Sequence, residues 1–187
     1  VVYTSGRHGS AYLNKDAIYP DTAVISRLCA ALAEPFRDRG VEVVAGPAIG
    51  GVILAQWTAH HLSQAGSPVL AVYAEKEPSG GLRFRRGYGD LVKDRRTLVV
   101  EDILTTGGSL REVCAAVREA GGHLVGAAAI CNRGGVTAAD VGEPPELVVL
   151  AEVRLDSWEE GECPLCARGV PVNTEVGKGK EYLRART

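Results

Sequence analysis

The sequence predicts an α/β protein: a mostly parallel central sheet of about five strands flanked by helices. Three observations carry that expectation. Short apolar runs over residues 41–45, 69–73, 98–100, 123–130 and 147–153 read as buried strands. The segments between several of them hold apolar residues at helical spacing. Loops of glycine and small residues follow two of the runs, where a strand would hand over to a helix. At 187 residues and 45% hydrophobic content, the chain is long enough for one domain with a proper core.

Residues 1–19 read as an irregular or strand-rich opening, with Ser5, Gly6, Arg7, His8, Gly9 and Ser10 forming a polar turn. Asp21 then caps a helix whose apolar positions Val24, Leu28, Ala31, Leu32 and Phe36 recur with helical period, and Pro35 is expected to kink it or end it early. The strand over 41–45 runs into Gly46, Pro47, Ala48, Ile49, Gly50 and Gly51. The next helix covers 51–64. Its adjacent His60 and His61 cannot share a face as metal ligands and read as a surface or partly packed pair.

After the strand over 69–73 comes a long cationic stretch, 74–96, with Lys76, Arg83, Arg85, Arg86, Lys93, Arg95 and Arg96. A loop of that length inside a compact domain is often an active-site lid, and part of this one is compatible with a two-stranded flap. Beyond the strand that starts at Leu98 and the loop after it, a helix over 109–120 buries Leu110, Val113, Cys114, Val117 and Ala120 and stops at Gly121 and Gly122. The strand over 123–130 leads to Cys131, Asn132 and Arg133. Ligands of open parallel sheets bind beyond the carboxyl ends of the strands, so Arg133 is expected near the loop from Glu101 to Ser109.

That loop concentrates the chemistry. Leu98, Val99 and Val100 deliver Glu101 and Asp102, and after Ile103 and Leu104 the residues Thr105, Thr106, Gly107, Gly108 and Ser109 open a helix. Backbone N–H groups, hydroxyls and the helix N-terminus can converge there on a phosphate. Carboxylates would repel it, so Glu101 and Asp102 must serve another part of the ligand, such as a diol or a cation-bearing group. A phosphate and a ribose diol about one loop-length apart satisfy both. A capping box from Ser109 to Glu112 needs no ligand, but it leaves the acids and both threonines unexplained. A Walker loop is excluded because no Gly-Lys-Ser/Thr follows, and the three spaced glycines of a dinucleotide fingerprint are missing.

Composition narrows the partners. A net charge of −2 gives no electrostatic footprint for nucleic acid. No apolar run approaches the roughly 18 residues of a membrane span, and no signal-peptide pattern opens the chain. A soluble, cytoplasmic protein is expected, with no membrane partner. The cysteines, Cys29, Cys114, Cys131, Cys163 and Cys166, are odd in number and suit a reducing compartment. Cys163-Pro164-Leu165-Cys166 is half a zinc site without a second CxxC or a His pair at ligand spacing. It reads as a structural turn, with a metal shared across a dimer as the alternative. Because the sequence starts at Val1, some preceding residues are expected to be absent.

The stretch 98–110 resembles, at all thirteen positions, the 5-phosphoribosyl-1-pyrophosphate (PRPP) motif of the type I phosphoribosyltransferases. The order of elements resembles one branch in particular, the orotate phosphoribosyltransferases. Ser5-Gly6-Arg7 through Asn14 is similar to that branch's S-G-x-x-S-x-Y-x-N segment, with one extra residue. Gly46 through Val52 is similar to its pyrophosphate loop, and Glu75-Lys76-Glu77 to the start of its R-K-E motif. Arg133 matches an orotate-contacting arginine, and C-P-L-C-x-x-G-x-P is similar to the tail of some bacterial and archaeal members. The sequence departs from the pattern at Thr4, Gly50 and Ser79, where lysines are usual, at Glu75, an arginine position, and at Gly81, a histidine position.

The resemblance implies one phosphoribosyltransferase domain over 1–187, with a small hood or flap to which 1–20 and 154–187 contribute. It implies transfer of ribose 5-phosphate from PRPP to a nucleobase, orotate first, giving orotidine 5′-monophosphate and pyrophosphate. Glu101, Asp102 and Lys76 would be the catalytic set. Glu101, Asp102, Ile103, Leu104, Thr105, Thr106, Gly107, Gly108 and Ser109 would bind PRPP, and Ala48, Ile49, Gly50 and Gly51 its pyrophosphate. Thr105 and Arg133 would meet the base, and Arg83, Arg85 and Arg86 would belong to the lid. Mg²⁺ would arrive on PRPP with no certain direct protein ligand, Asp102 contacting it through water. A homodimer is also implied. Two other readings stay open: a transferase for a purine or xanthine, and a non-catalytic regulator that binds PRPP or a nucleotide.

Overall fold

The computed structural model describes residues 1–3, 5–64, 66–78 and 80–186, so two of the departures noted above, Thr4 and Ser79, lie outside the described residues. The chain divides into two compact units, one of Val1–Asn14 with Arg154–Thr187 and one of Lys15–Val153. In chain order the strands are β1 (His8–Gly9), β2 (Val43–Pro47), β3 (Leu70–Lys76), β4 (Leu82–Phe84), β5 (Arg96–Leu104), β6 (His123–Asn132), β7 (Leu147–Glu152) and β8 (Ser157–Trp158). The helices are α1 (Thr22–Ala33), α2 (Gly50–Ser63), α3 (Tyr88–Val92), α4 (Gly108–Glu119), α5 (Pro164–Ala167) and α6 (Gly179–Arg184).

The larger unit holds a six-stranded sheet in the order β4-β3-β2-β5-β6-β7. Every neighbouring pair is parallel except β3 with β4. The expected α/β class and mostly parallel sheet are therefore observed, with one antiparallel edge strand added. Strand β5 is central and apolar on both faces, and its alternation sorts side chains between two cores. Val99 packs in one core with Leu110, Val113 and Val117 of α4. Leu98 and Val100 pack in the other with Ile25 and Leu32 of α1 and Leu54 of α2. Full burial of each such side chain contributes about 1.5–3 kcal/mol, so the central strand is anchored from both sides.

Local signals set the helix ends. The Asp21 carboxylate accepts the backbone N–H groups of Ala23 and Val24, both at 3.0 Å, and starts α1. Helix α1 ends at Ala33, and Pro35 sits in the short 3₁₀ turn that follows, Glu34–Phe36. Helix α4 begins one residue before the expected Ser109. Its N-cap is Gly107, at φ 75°, with no side-chain cap bond, which corrects the capping-box reading.

Part of the stretch 74–96 forms a two-stranded hairpin, as a flap there would: strand β3 runs on to Lys76 and turns back as β4, pairing Glu75 with Arg83 in register, and α3 follows. Leu82, Phe84, Tyr88 and Leu91, each partly buried, pack on the core beneath and hold the cationic stretch in place.

The smaller unit contains the two-stranded ladder β1–β8, with His8 opposite Trp158. Its chain ends are also joined by polar contacts. The Arg7 guanidinium donates to the Ser157 carbonyl at 2.7 Å and pairs with Glu159.

Candidate active site

Sheet order locates the site. The connection from β2 through α2 returns to β3 on one side of β2, whereas β5 continues through α4 to β6 on the other. Between β2 and β5 the winding reverses, and the loops leaving their carboxyl ends border one crevice. Those loops are the 46–51 and 101–109 stretches singled out in the sequence.

At the end of β5, Glu101 is 7% and Asp102 3% exposed. The Asp102 backbone N–H donates to Glu101 Oε1 at 3.0 Å, and the Ile103 N–H donates to Asp102 Oδ1 at 2.6 Å. Two side chains from just before α1 converge on the other Asp102 oxygen: Lys15 Nζ at 2.8 Å and the Tyr19 hydroxyl at 2.6 Å. Burial, and then the neighbouring Asp102 charge, raise the Glu101 pKa well above the usual carboxylate range. Partial burial works against the Lys15 charge, but the hydrogen bond and charge of Asp102 outweigh it, so its pKa is raised. Burial and the same Asp102 contact raise the Tyr19 phenol, which stays a donor across the physiological range.

The 46–51 loop reaches this acid through its backbone. A β-carbon on Gly50 would lie 2.3 Å from Asp102 Oδ2 and 2.5 Å from the Tyr19 hydroxyl, so only glycine fits without displacing both. A lysine there, as in the family pattern, would need the Asp102 cluster to move. The Ala48 N–H is tied to the Ala74 carbonyl at 2.9 Å, while the Ile49 side chain is 83% exposed.

The 105–109 loop forms a concave site of about 340 Å³ that opens to solvent at the start of α4. Glu101, Thr105, Thr106, Gly107, Gly108 and Ser109 line it, and Ile103 and Leu104 contribute as well. Leu104 is buried in the core, so its part in the site is played by its backbone. Among the described residues only the Gly108 N–H has a side-chain acceptor, the Thr106 hydroxyl at a long 3.5 Å, so the N–H groups of the first turn of α4 that follow it are available to an anion.

Arg133 lies where the strand-end argument expects it, with Nε donating to Thr105 Oγ1 at 2.9 Å. Buried Asn132 shapes the loop that carries it: Nδ2 donates to the Val136 carbonyl at 2.9 Å, and Oδ1 accepts the Val136 N–H at 3.0 Å. Lys76 is exposed at the end of β3. Arg86 binds Glu75 through two bonds of 3.1 Å, Arg83 pairs with Glu77 and Glu119, and Arg85 is exposed. The structure thus gathers Glu101, Asp102, Gly50, Thr105 and Arg133 at the crevice and ties Arg83 and Arg86 to local carboxylates. Sequence reasoning missed Lys15, Tyr19 and Asn132 as site residues. The first two meet Asp102 across 87 and 83 residues of chain, a separation that carries no motif.

The comparisons agree with this geometry. The phosphoribosyl transferase domain family matches residues 15–147. An orotate phosphoribosyltransferase of Caldanaerobacter subterraneus is 40% identical over 172 residues, which is 90% of this chain and 84% of that protein. The Mycobacterium tuberculosis orotate phosphoribosyltransferase solved in complex with PRPP superposes with a TM-score of 0.63 at 25% identity, covering 81% of this chain and 86% of that one. An adenine phosphoribosyltransferase of Thermoanaerobacter pseudethanolicus gives 0.65 at 17% identity over 78% of this chain and 90% of that one, a likeness of fold alone. With the family match spanning most of the chain and the crevice carrying the motif, the chain belongs to the phosphoribosyltransferase family.

Proposed function

We propose that this chain transfers ribose 5-phosphate from PRPP to orotate, releasing pyrophosphate and forming orotidine 5′-monophosphate. One observation carries the reading: the uncapped start of α4 lies one loop away from two buried acids at the reversal of the sheet. The 5-phosphate takes the N–H groups and hydroxyls of Thr105 through Ser109. Glu101 and Asp102 take the ribose hydroxyls. The backbone of Ala48, Ile49, Gly50 and Gly51 faces the pyrophosphate, and Lys15, already in the crevice, adds a positive charge beside it. The family relatives named above as orotate enzymes favour orotate as the acceptor.

In the reaction the bond from C1 of the ribose to pyrophosphate oxygen breaks, and a bond from a ring nitrogen of orotate to C1 forms. The nitrogen's proton passes to solvent and pyrophosphate departs with the bonding electrons. Positive charge grows on C1 as its bond stretches, and the Asp102 carboxylate, fixed in advance by Lys15, Tyr19 and the Ile103 N–H, favours that charge. Arg133, held on Thr105, presents its guanidinium to the orotate carboxylate or ring carbonyl. Lys76, Arg83, Arg85 and Arg86 answer the pyrophosphate from the β3–β4 hairpin. The ion pairs of Arg83 and Arg86 are solvent-exposed and screened by water and salt, so releasing them costs little.

Mg²⁺ fits as a passenger on the substrate. PRPP oxygens would supply its ligands, and Asp102, which already accepts three donors, would meet the ion through water. When bound, the ion neutralises the leaving pyrophosphate. A homodimer in a reducing, cytoplasmic compartment is part of this proposal, supported for the compartment by five free cysteines.

Pyrophosphate release from PRPP and Mg²⁺, with orotate, uracil, adenine, guanine, hypoxanthine and xanthine offered one at a time, tests the reading. Release with orotate alone is expected. Release with another base would keep the transfer chemistry and move the acceptor. PRPP binding without release for any base would replace the enzyme by a PRPP-binding regulator.

A further inference from the structure

The smaller unit has little to hold it together. Among its described residues only Val2 and Cys163 are buried hydrophobics, and its ladder β1–β8 is two residues long. Units below roughly 60 residues are marginal on a hydrophobic core alone and commonly rely on a metal or disulfides. No disulfide is formed, since Cys163 and Cys166 are both free thiols.

The turn Cys163-Pro164-Leu165-Cys166, left as half a metal site by sequence spacing, acquires a third member from the other end of the chain. His8 is 3% exposed, and its Nδ1 lies 3.1 Å from Cys166 Sγ. One ligand atom from each of His8, Cys163 and Cys166 falls within 4.8 Å of the others. Tetrahedral zinc, with Zn–S near 2.3 Å and Zn–N near 2.0–2.1 Å, holds such atoms about 3.5–3.8 Å apart. The triangle therefore needs side-chain adjustments of no more than about 1 Å to close on an ion. His8 Nε2 is buried with no partner among the described residues, and Nδ1 meets only sulfur. Coordination at Nδ1 would give that nitrogen a strong partner in place of its present sulfur contact.

We propose that His8, Cys163 and Cys166 bind a zinc ion that clamps the N-terminal segment to the C-terminal segment. Nδ1 of neutral His8 and the two thiolates are its protein ligands, and water takes the fourth position on the side where Cys166 is exposed. Binding releases the two thiol protons to solvent. The role is structural and independent of the transfer reaction, so its test stands apart from that of the proposed function.

The experiment uses the full chain, purified under reducing conditions without a histidine tag or chelator. Elemental analysis is expected to find about one zinc per chain. After stripping, titration with Co²⁺ is expected to give tetrahedral d–d bands together with a thiolate-to-cobalt charge-transfer band. The spectrum is read on the wild-type chain and so does not depend on any variant folding. His8→Ala and Cys163→Ser are each expected to weaken Co²⁺ binding by about 100-fold or more. Stripping is expected to lower the melting temperature, with zinc restoring it. Three results would overturn the proposal: a chain free of zinc that gives no thiolate charge-transfer band, thiol counts showing Cys163 and Cys166 joined in a disulfide, or His8→Ala binding Co²⁺ as tightly as wild type.

Discussion

The two loops at the sheet reversal do their work by opposite means. Around the end of β5, side chains carry much of the chemistry: two acids in the strand, two threonines in the loop and a serine in the first turn of α4. After β2, the chemistry is in the backbone, because Gly50 and Gly51 offer no side chain and Ile49 points its own into solvent. The two meet where Gly50 lies against the Asp102 carboxylate. One loop can be read by residue type, whereas the other is defined by what it leaves out.

Substitutions separate the two contributions. Asp102→Asn keeps the shape but removes the charge on which Lys15 and Tyr19 converge, and it is expected to lower kcat by about 10²–10³-fold. An unchanged kcat in steady-state assays would make the acid structural. Arg133→Ala removes a forked cation near the base and is expected to raise KM for orotate by about 10–100-fold with KM for PRPP little changed. Equal effects on both would remove Arg133 from the base site.

The fold was legible where apolar periodicity and turn residues agree. The β5–α4 unit, the Asp21 cap of α1 and the reach of Arg133 to the β5 loop all follow from local pattern and the strand-end rule. Strand β4 was legible only as an unplaced part of a flap, because its three residues, Leu82, Arg83 and Phe84, sit in a run dominated by charge. Lys15 and Tyr19 were hidden for another reason: their value lies in a tertiary contact with Asp102, and neither has a spacing signal. Ser109 made an attractive N-cap, yet a left-handed Gly107 starts the helix and leaves the amides open. The same separation hid His8 from Cys163 and Cys166.

Smaller perturbations sharpen the contrast. Gly107→Ala puts a side chain at φ 75°, with a β-carbon 2.7 Å from Val141 Cγ1 and 2.9 Å from Val136 Cγ1. A loss of about 1–3 kcal/mol is expected in denaturant unfolding; no loss would mean the turn is not under this constraint. Glu101→Gln tests the buried acid. Since the folded-state pKa of Glu101 is raised above its ordinary 4.5, ionisation opposes folding, and its stability contribution is present below that value and lost as pH rises toward the raised one. The variant cannot ionise, so it is expected to match wild type near pH 4.5 and to melt about 2–4 °C higher at pH 8. A pH-independent difference would contradict the burial effect.

The division of labour between the loops is tested most directly by calorimetric titration of wild type and Thr106→Val with ribose 5-phosphate and, separately, with Mg²⁺-pyrophosphate. Thr106 lines the cradle at the start of α4 and lies outside the 46–51 loop. Loss of its hydroxyl is expected to weaken ribose 5-phosphate about fivefold and to leave pyrophosphate unchanged. An equal loss for both ligands, or a loss confined to pyrophosphate, would contradict the assignment of the sugar phosphate to the β5 loop and of pyrophosphate to the β2 loop.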